Sequence, residues 1–369
     1  MYFSDIIGLN NIKEHLTDSV NRGHIPHARI IQGASGVGKL LLAIAYSRYL
    51  MCENRSANDS CGVCPSCQKI DKLAHPDLHF VFPVIKSKTS DEYLPQWRDF
   101  LSKNKYFDLN DWLEYIDAEN AQGLIYSKES EEIIRKLNLK VYEAPYKVMI
   151  VWLPEKMHES CANKLLKLIE EPPANTIFLL VTEDAENVIT TIRSRCQPLN
   201  VRGLDMKEVL AGLQINYGLD ENAAISVAHI ARGSFTKAIK IIQSNRENNY
   251  NFDLFKKMMR ASVIKNIRDI KVIASELASI GREKQKSYIL NSLRLFREYF
   301  ISNLNAPQMV YLNGEEQDFG IKFAPFINDS NIEAFDDEFQ TAYRQIEQNG
   351  NARIIFLDLC LKCTMLLKK

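Results

Sequence analysis

Short runs of β-branched and aromatic residues alternate with helical patterns up to about Val201. This alternation is typical of a parallel sheet covered by helices. Amphipathic spacing predicts helices over residues 40–51 and 160–171, and Pro172 and Pro173 end the second of them. The predicted strands are residues 28–32, 78–82, 147–152, 176–181 and 197–201. Residues 1–202 are therefore predicted to form an α/β domain.

The strand pattern ends after Arg202, and a small helical domain is predicted over residues 203–247. Three short helices separated by Gly218 and Gly233 account for this region, because glycine commonly ends a helix. The polar residues 243–251, rich in Asn and charged side chains, are the predicted linker to the rest of the chain.

Long amphipathic helices predict a third, all-helical domain over residues 252–369. The spacing i, i+4, i+7, i+11 predicts a buried stripe, formed here by Ile289, Leu293, Phe296 and Phe300. The most apolar segment, residues 354–367, is shorter than a membrane span and is interrupted by Asp358 and Lys362. A buried terminal helix is therefore predicted, with no membrane partner.

Residues 85–125 do not fit either pattern. Aromatic side chains occur among many charged ones without a clear period, which predicts an ordered insertion in the α/β domain. These aromatic residues are Trp97, Phe100, Tyr106, Phe107, Trp112 and Tyr115. No role for the insertion follows from the sequence.

Charge and composition exclude some classes of partner. The 46 basic and 46 acidic side chains of the 369 residues cancel, so no overall positive field attracts the molecule to DNA or to an anionic membrane. Contact with nucleic acid must therefore be local or shared with other chains. Residues 1–5 lead into amphipathic sequence without the basic and apolar regions of an export signal, which predicts a cytoplasmic protein.

Residues 33–39 match the first seven positions of the phosphate-binding motif G-x-x-x-x-G-K-[ST], between a predicted strand and a predicted helix. Gly33, Gly36 and Gly38 allow backbone N–H groups to point at a phosphate, and Lys39 supplies a positive charge. The alternative is a tight strand-to-helix turn that binds nothing.

The oxygen ligands for Mg²⁺ are missing from this motif. Leu40 occupies the position of the usual Ser or Thr, and Leu153 occupies the expected carboxylate position after a buried strand. Glu155, which follows a proline, and Asp184 are the nearest replacements. Hydrolysis is predicted to be negligible, whereas binding of ATP or ADP without hydrolysis stays open.

Four of the eight cysteines lie together in a segment rich in Gly, Pro, Asn and Ser, residues 52–67. They are Cys52, Cys61, Cys64 and Cys67, spaced C-x8-C-x2-C-x2-C. Short turns at this spacing can bring four thiolates to one tetrahedral centre, which predicts structural zinc. The other four cysteines are predicted to be packing residues.

Taken together, several motifs resemble the bacterial clamp-loader AAA+ subunits. They are residues 27–33 leading into the phosphate loop, the four cysteines after the first helix, residues 163–173 and Ser194-Arg195-Cys196. The resemblance spans roughly residues 4–202. It implies a P-loop AAA+ domain followed by a lid and a collar. It also implies gamma/tau and delta subunits as partners, with the sliding clamp and primed DNA reached through the complex.

Within that family the gamma/tau subunits keep a working ATP site, whereas the delta-prime subunit usually has a degraded one. Leu40 and Leu153 therefore favour a delta-prime-like subunit. Thr182 matches the sensor-1 position, and Thr236 replaces the sensor-2 arginine. The resemblance implies that Arg195, within Ser194-Arg195-Cys196, is an arginine finger for a neighbouring ATP site.

Alternatives to these interpretations remain open at this stage. Arg195 can instead cap a strand or pair with an acid, and Arg193 is its nearest rival as a finger. An active ATPase subunit of the gamma/tau type needs a metal ligand from Glu155 or Asp184. A zinc-dependent nucleic-acid binder acting alone is the third hypothesis, and the balanced charge counts against it.

Overall fold

The computed structural model describes residues 1–86, 88–118, 121–304, 310, 312 and 314–367. The chain divides into two compact units, Met1–Ile241 and Ile242–Lys369. The first unit contains the predicted α/β domain and residues 203–241 of the predicted small helical domain. The boundary predicted between those two domains stays a prediction.

A parallel sheet forms the centre of the first unit. Its strands are β1 (Ala28–Gly33), β2 (Leu78–Val81), β3 (Lys147–Trp152), β4 (Thr176–Thr182) and β5 (Gln197–Val201). They pair in the order β2-β3-β4-β1-β5, and each pairing is parallel. The strands β3 and β4 are buried along their whole length, as is usual for parallel strands covered on both faces. The five predicted strands are confirmed to within one residue at each end.

Helices cover this sheet and continue beyond it. In the first unit they are α1 (Asn10–Asn21), α2 (Lys39–Met51), α3 (Pro65–Asp71), α4 (Leu94–Lys103), α5 (Leu109–Tyr115), α6 (Glu129–Asn138), α7 (Glu159–Glu170), α8 (Thr190–Arg193), α9 (Met206–Tyr217) and α10 (Glu221–Ala231). The helix α11 (Phe235–Ile264) begins in the first unit and ends in the second. We call α9, α10 and the first turns of α11, residues 206–241, the lid.

The linker predicted at residues 243–251 is wrong, because this stretch lies inside α11. It contains neither glycine nor proline, so nothing in the backbone interrupts the helix. Most of its side chains are exposed, and polar residues at exposed helix positions are compatible with a continuous helix. A polar composition alone was therefore insufficient to identify a linker.

Every element of the second unit is helical within the part of the chain that the structure describes. After α11 come α12 (Ile267–Ser279), α13 (Arg282–Asn303), α14 (Gly314–Phe323), α15 (Ile332–Glu347) and α16 (Ala352–Leu366). The predicted stripe on α13 is confirmed: Ile289 and Phe296 are buried, while Leu293 and Phe300 pack against the same core. Among the described residues, no helix combines the length and apolar character needed to cross a membrane.

The insertion is built around an aromatic cluster that also contacts β3. The rings of Phe82 and Trp97 stack with centroids 4.1 Å apart, and Trp97 lies 4.9 Å from Trp112 and 5.3 Å from Trp152. Trp97 and Trp112 have no exposed surface. The helices α4 and α5 are therefore anchored to the sheet by packed aromatic side chains.

Replacing Trp112 with alanine is expected to destabilise the first unit by about 3 kcal/mol or more, because a large buried ring is lost. Its indole N–H also donates to the carbonyl of Pro83 at 2.9 Å, and this acceptor would lose its partner. The three tryptophans of the chain all lie in or beside this cluster, so urea unfolding followed by tryptophan fluorescence reports on it. Tyr142, which is 79% exposed, provides the control: Tyr142→Ala should change the unfolding free energy by less than about 0.5 kcal/mol.

Candidate functional site

The phosphate-binding loop connects β1 to α2 and contacts the start of α11. Gly36 and Gly38 have φ of 78° and 87°, a backbone region that side chains with a Cβ rarely adopt. A Cβ on Gly36 would lie 2.1 Å from Ser234 Oγ in the lid. The carbonyl of Gly36 also accepts hydrogen bonds from the N–H groups of Phe235 at 2.8 Å and Thr236 at 3.3 Å. The first turn of α11 is therefore hydrogen-bonded directly to this loop.

Lys39 is buried and bound by the protein itself. Only 4% of the residue is exposed, and its Nζ donates to the carbonyl of Ala34 at 2.5 Å. Glu183 Oε1 lies 4.0 Å from the same nitrogen. Burial lowers the pKa of Lys39 to about 8, although Glu183 and Glu155 favour the charged form. The predicted phosphate ligand thus already has partners within the first unit.

The two positions that would normally ligate Mg²⁺ carry leucine side chains, which have no oxygen atom. Leu40, in the first turn of α2, and Leu153, directly after β3, are both buried. Glu155 Oε1 accepts from the N–H groups of Glu183 at 2.9 Å and Asp184 at 3.3 Å, so it holds the turn after β4. Burial raises the pKa of the Glu155 carboxyl. The Glu155 carboxyl is therefore desolvated and bonded to the backbone, and its role in this structure is to hold the turn.

Asp184 and Thr182 belong to the same turn. The Asp184 carboxylate accepts from the backbone N–H of Asn187 at 3.3 Å and from its side-chain Nδ2 at 2.5 Å. Thr182, the last residue of β4, is fully buried, and its Oγ1 accepts from the N–H of Asp184 at 3.1 Å. These polar groups stabilise one another next to the loop that carries Lys39.

Sequence reasoning missed two side chains of this region, Tyr106 and Phe107 from the insertion. A Cβ on Gly38 would lie 3.0 Å from Tyr106 Cε1, so the tyrosine ring covers the phosphate-binding loop. The cavity that remains there, lined in part by Phe107 and Trp152, has a volume of about 30 Å³. Ligand pockets in proteins are on the order of 300–1,000 Å³. No local pattern predicts this contact, because Gly38 and Tyr106 are far apart in the sequence.

Arg195 lies at the surface between α8 and β5. Its guanidinium forms an ion pair with Glu170 and donates to the carbonyl of Thr191 at 2.9 Å; 37% of the side chain is exposed. Arg193 makes different contacts, donating to the carbonyl of Ala185 at 3.2 Å and pairing with Glu186 at 2.8 Å. Of its two neighbours, Ser194 donates its Oγ to the same carbonyl of Thr191, and Cys196 is buried.

Arg195 and the phosphate-binding loop lie at opposite ends of the sheet. The strand β5 runs parallel to β1, with Gln197 opposite Arg29 and Val201 opposite Gly33. Arg195 precedes β5, whereas the loop follows β1. At a rise of about 3.3 Å per residue, the two are separated by roughly 15–20 Å along the strands. The structure therefore does not bring Arg195 to the chain's own Lys39.

The four predicted ligand cysteines do come together. The Sγ atoms of Cys52, Cys61, Cys64 and Cys67 lie within 4.8 Å of one another. Sulfur atoms around a tetrahedral Zn²⁺ are about 3.8 Å apart, given a Zn–S distance of about 2.3 Å. Backbone N–H groups of Cys61, Cys64 and Cys67 point at the sulfurs of Cys52, Cys61 and Cys64 respectively, at 3.3–3.4 Å. The cluster can therefore hold a metal ion with little rearrangement.

A buried arginine lies beside the cysteine cluster. Arg48 on α2 is fully buried, donates to Asp71 Oδ2 at 3.0 Å and stacks 3.8 Å from the centre of the Tyr2 ring. Burial alone would lower the pKa of Arg48, but the hydrogen bonds to Asp71 and the nearby Cys67 sulfur outweigh it, so the pKa is raised. Four thiolates around a divalent ion carry a net charge of −2, which the positive charge of Arg48 beside them partly offsets.

The sheet order, the phosphate-binding loop after β1 and the helical lid define a P-loop protein of the AAA+ class. A sequence model of the family described as DNA polymerase III, delta subunit, matches residues 8–205, more than half of the chain. The chain therefore belongs to this clamp-loader family, as its motifs indicated.

Individual relatives have moderate similarity. The chain is 26% identical over 232 residues to DNA polymerase III subunit delta' of Escherichia coli, covering 63% of this chain and 59% of that protein. It is 31% identical over 182 residues to the delta' subunit of Yersinia pestis, covering 48% and 42%. Subunit tau of Salmonella typhimurium is 27% identical over 207 residues, covering 56% and 26%. The chain thus matches only about a quarter to three fifths of the length of these relatives.

Proposed function

We propose that this chain is a delta-prime-like subunit of a DNA polymerase III clamp loader, which binds neighbouring subunits but does not hydrolyse ATP. The observation that supports this proposal most directly is the state of the phosphate-binding loop. Leu40 and Leu153 replace both metal ligands, and Tyr106 covers the loop. Phosphoryl transfer depends on positioning and on neutralising charge, so a site without a place for Mg²⁺ has lost its main catalytic contribution.

The second part of the proposal is that Arg195 acts on a neighbouring subunit's ATP. Its distance from the chain's own loop favours action in trans over action in cis. A planar guanidinium with several donors suits the developing charge on a γ-phosphate. The side chain is partly exposed, and its ion pair with Glu170 is at the surface, where such pairs contribute little and can be exchanged for a stronger partner.

The remaining parts of the proposal concern partners and metal. We propose gamma/tau and delta subunits as direct partners in the cytoplasm, with the sliding clamp and primed DNA contacted through the assembled complex. The balanced charge of the chain fits shared rather than independent DNA binding. We also propose Zn²⁺ as a structural ion in the cysteine cluster, because a full set of four thiolates suits it and leaves no open position for catalysis.

The test of the central claim is steady-state ATP hydrolysis by the purified chain alone and by a mixed complex with gamma/tau. We expect no turnover by the isolated chain above the background of a Lys39→Ala variant. In the mixed complex, Lys39→Ala of this chain should leave the rate unchanged, because the partner's site does the chemistry. Turnover by the isolated chain that disappears in Lys39→Ala would contradict the proposal and support an active ATPase.

A further inference from the structure

The loop between α4 and α5 contacts three parts of the first unit at once. The hydroxyl of Tyr106 accepts from the N–H of Ile7 at 2.9 Å, and its ring lies over Gly38. The same ring packs against Phe235, the first residue of α11, with centroids 4.8 Å apart. One side chain therefore joins the N-terminal segment, the phosphate-binding loop and the lid.

A second link connects the insertion to the lid. Lys240 of α11 contacts Asp108 Oδ2 at 2.5 Å and Asp111 Oδ1 at 2.9 Å. These carboxylates are held in place by the start of α5, where Asp108 accepts from the N–H groups of Asn110 and Asp111, and Asp111 accepts from the N–H of Asp108. Both carboxylates are therefore held in position by the start of α5. Their ion pairs with Lys240 add a directional contact to the packing of Tyr106.

We propose that the insertion is a built-in substitute for a nucleotide: Tyr106 fills the space over the phosphate-binding loop while Asp108 and Asp111 hold Lys240, keeping the lid closed on the loop without bound ATP or ADP. A ligand bound in a cleft favours the closed arrangement when it contacts both sides of the cleft. Tyr106 makes such contacts from within the chain. The inference does not depend on any role of Arg195.

Tethering gives the internal group an advantage over a free nucleotide. An attached group is present at a high effective concentration, so a nucleotide must displace it before reaching the loop amides. The ammonium group of Lys39 already donates to the carbonyl of Ala34 and lies near Glu183. These contacts weaken the interaction that it can make with an incoming phosphate. The lid should therefore have the same position whether or not nucleotide is present, and ATP should not act as a switch in this subunit.

Hydrogen exchange of the intact chain tests this inference. We expect slow exchange of the lid, residues 206–241, and no change on addition of millimolar ADP or ATP. Tyr106→Ala should speed lid exchange by about tenfold or more, because opening of the lid then costs fewer contacts. Lys240→Met should speed it by about threefold, as expected for a partly exposed ion pair. Tyr106→Phe keeps the ring and should resemble the unaltered chain.

Matched variants separate these effects from general damage. Lys237→Met removes an exposed lysine from the same helix and should leave lid exchange unchanged. Tryptophan fluorescence shows whether the insertion stays folded in Tyr106→Ala. If the insertion unfolds in that variant, lid exchange in Lys240→Met alone tests the inference. The inference is overturned if ADP slows lid exchange in the unaltered chain, or if a folded Tyr106→Ala and Lys240→Met both exchange at the original rate. Neither result bears on whether Arg195 acts in trans.

Discussion

Arg195→Ala is expected to lower DNA-stimulated ATP hydrolysis by the reconstituted clamp loader about 10³-fold at the partner site that Arg195 faces, the lower end of the range measured for arginine fingers. The physical reason is the loss of a permanently charged, planar donor where negative charge develops on the γ-phosphate. If other sites in the complex continue to turn over, the total rate falls only by the contribution of the site that Arg195 faces, so single-turnover measurements are needed alongside the steady-state rate.

Assembly of the complex should survive this substitution. Within the chain, Arg195 pairs with Glu170 and donates to the carbonyl of Thr191, and more than a third of the side chain is exposed. Contacts of this kind contribute at most about 1 kcal/mol to folding. Gel filtration of the mixed complex should therefore give the same elution volume for Arg195→Ala as for the unaltered chain, which isolates the catalytic effect from a structural one.

Arg193→Ala is the matched control for Arg195→Ala. Arg193 is bound to Ala185 and Glu186 instead, so its removal should leave hydrolysis near the original rate. A rate that is lost with Arg193→Ala and kept with Arg195→Ala would transfer the role to the rival residue. If both variants keep the original rate of hydrolysis, this chain supplies no arginine finger. Arg195→Lys should recover little activity, because an ammonium group cannot reproduce the planar set of donors.

The sheet and the phosphate-binding loop were predictable because their patterns are local. The buried strands are short apolar runs, and the glycines and Lys39 lie within seven consecutive residues. The cysteine cluster was predictable for the same reason, since four ligands fall within sixteen residues, Cys52 to Cys67. For the loop and the cysteine cluster, one continuous segment contains all the residues that come together, whereas the order of the strands in the sheet depends on distant segments and was not predicted.

The covering of the loop by Tyr106 was not predictable, because it depends on how the insertion packs. Tyr106 lies between α4 and α5, which the aromatic cluster of Trp97, Trp112 and Phe82 anchors, and this packing places its ring against Gly38. An aromatic side chain in a charged segment gives no indication of its partner. The sequence left binding of ATP or ADP open, because the loop amides and Lys39 are present; the contact of Tyr106 with Gly38 is what it did not show.

The continuous helix α11 illustrates the opposite error, in which a local pattern misleads. Residues 243–251 have the composition of a linker, yet they contain no residue that breaks a helix. The residues on either side of this stretch, Ile242 and Phe252, are buried and belong to the same helix, so packed positions flank it. Tertiary contacts therefore determine the conformation where the local preference is weak.

Removal of metal is expected to have the other large effect, confined to residues 52–71. Structural zinc sites in small domains bind with apparent free energies of about 10–16 kcal/mol at neutral pH, and this energy also stabilises the fold around the ion. The purified chain, kept under reducing conditions, should contain about one zinc per molecule by elemental analysis. Cys67→Ser should contain almost none after dialysis, since it replaces a buried thiolate with a weak ligand.

The matched control is Cys161→Ala, which removes a buried cysteine of the sheet domain and should keep the full zinc content. In Cys67→Ser, exchange in residues 52–71 should rise to that of an unstructured loop, because the short helix α3 is too small to be stable without support. The effect should stop at α2, because this helix is buried along its whole length. Full zinc content in Cys67→Ser, or iron in place of zinc in the unaltered chain, would contradict the assignment.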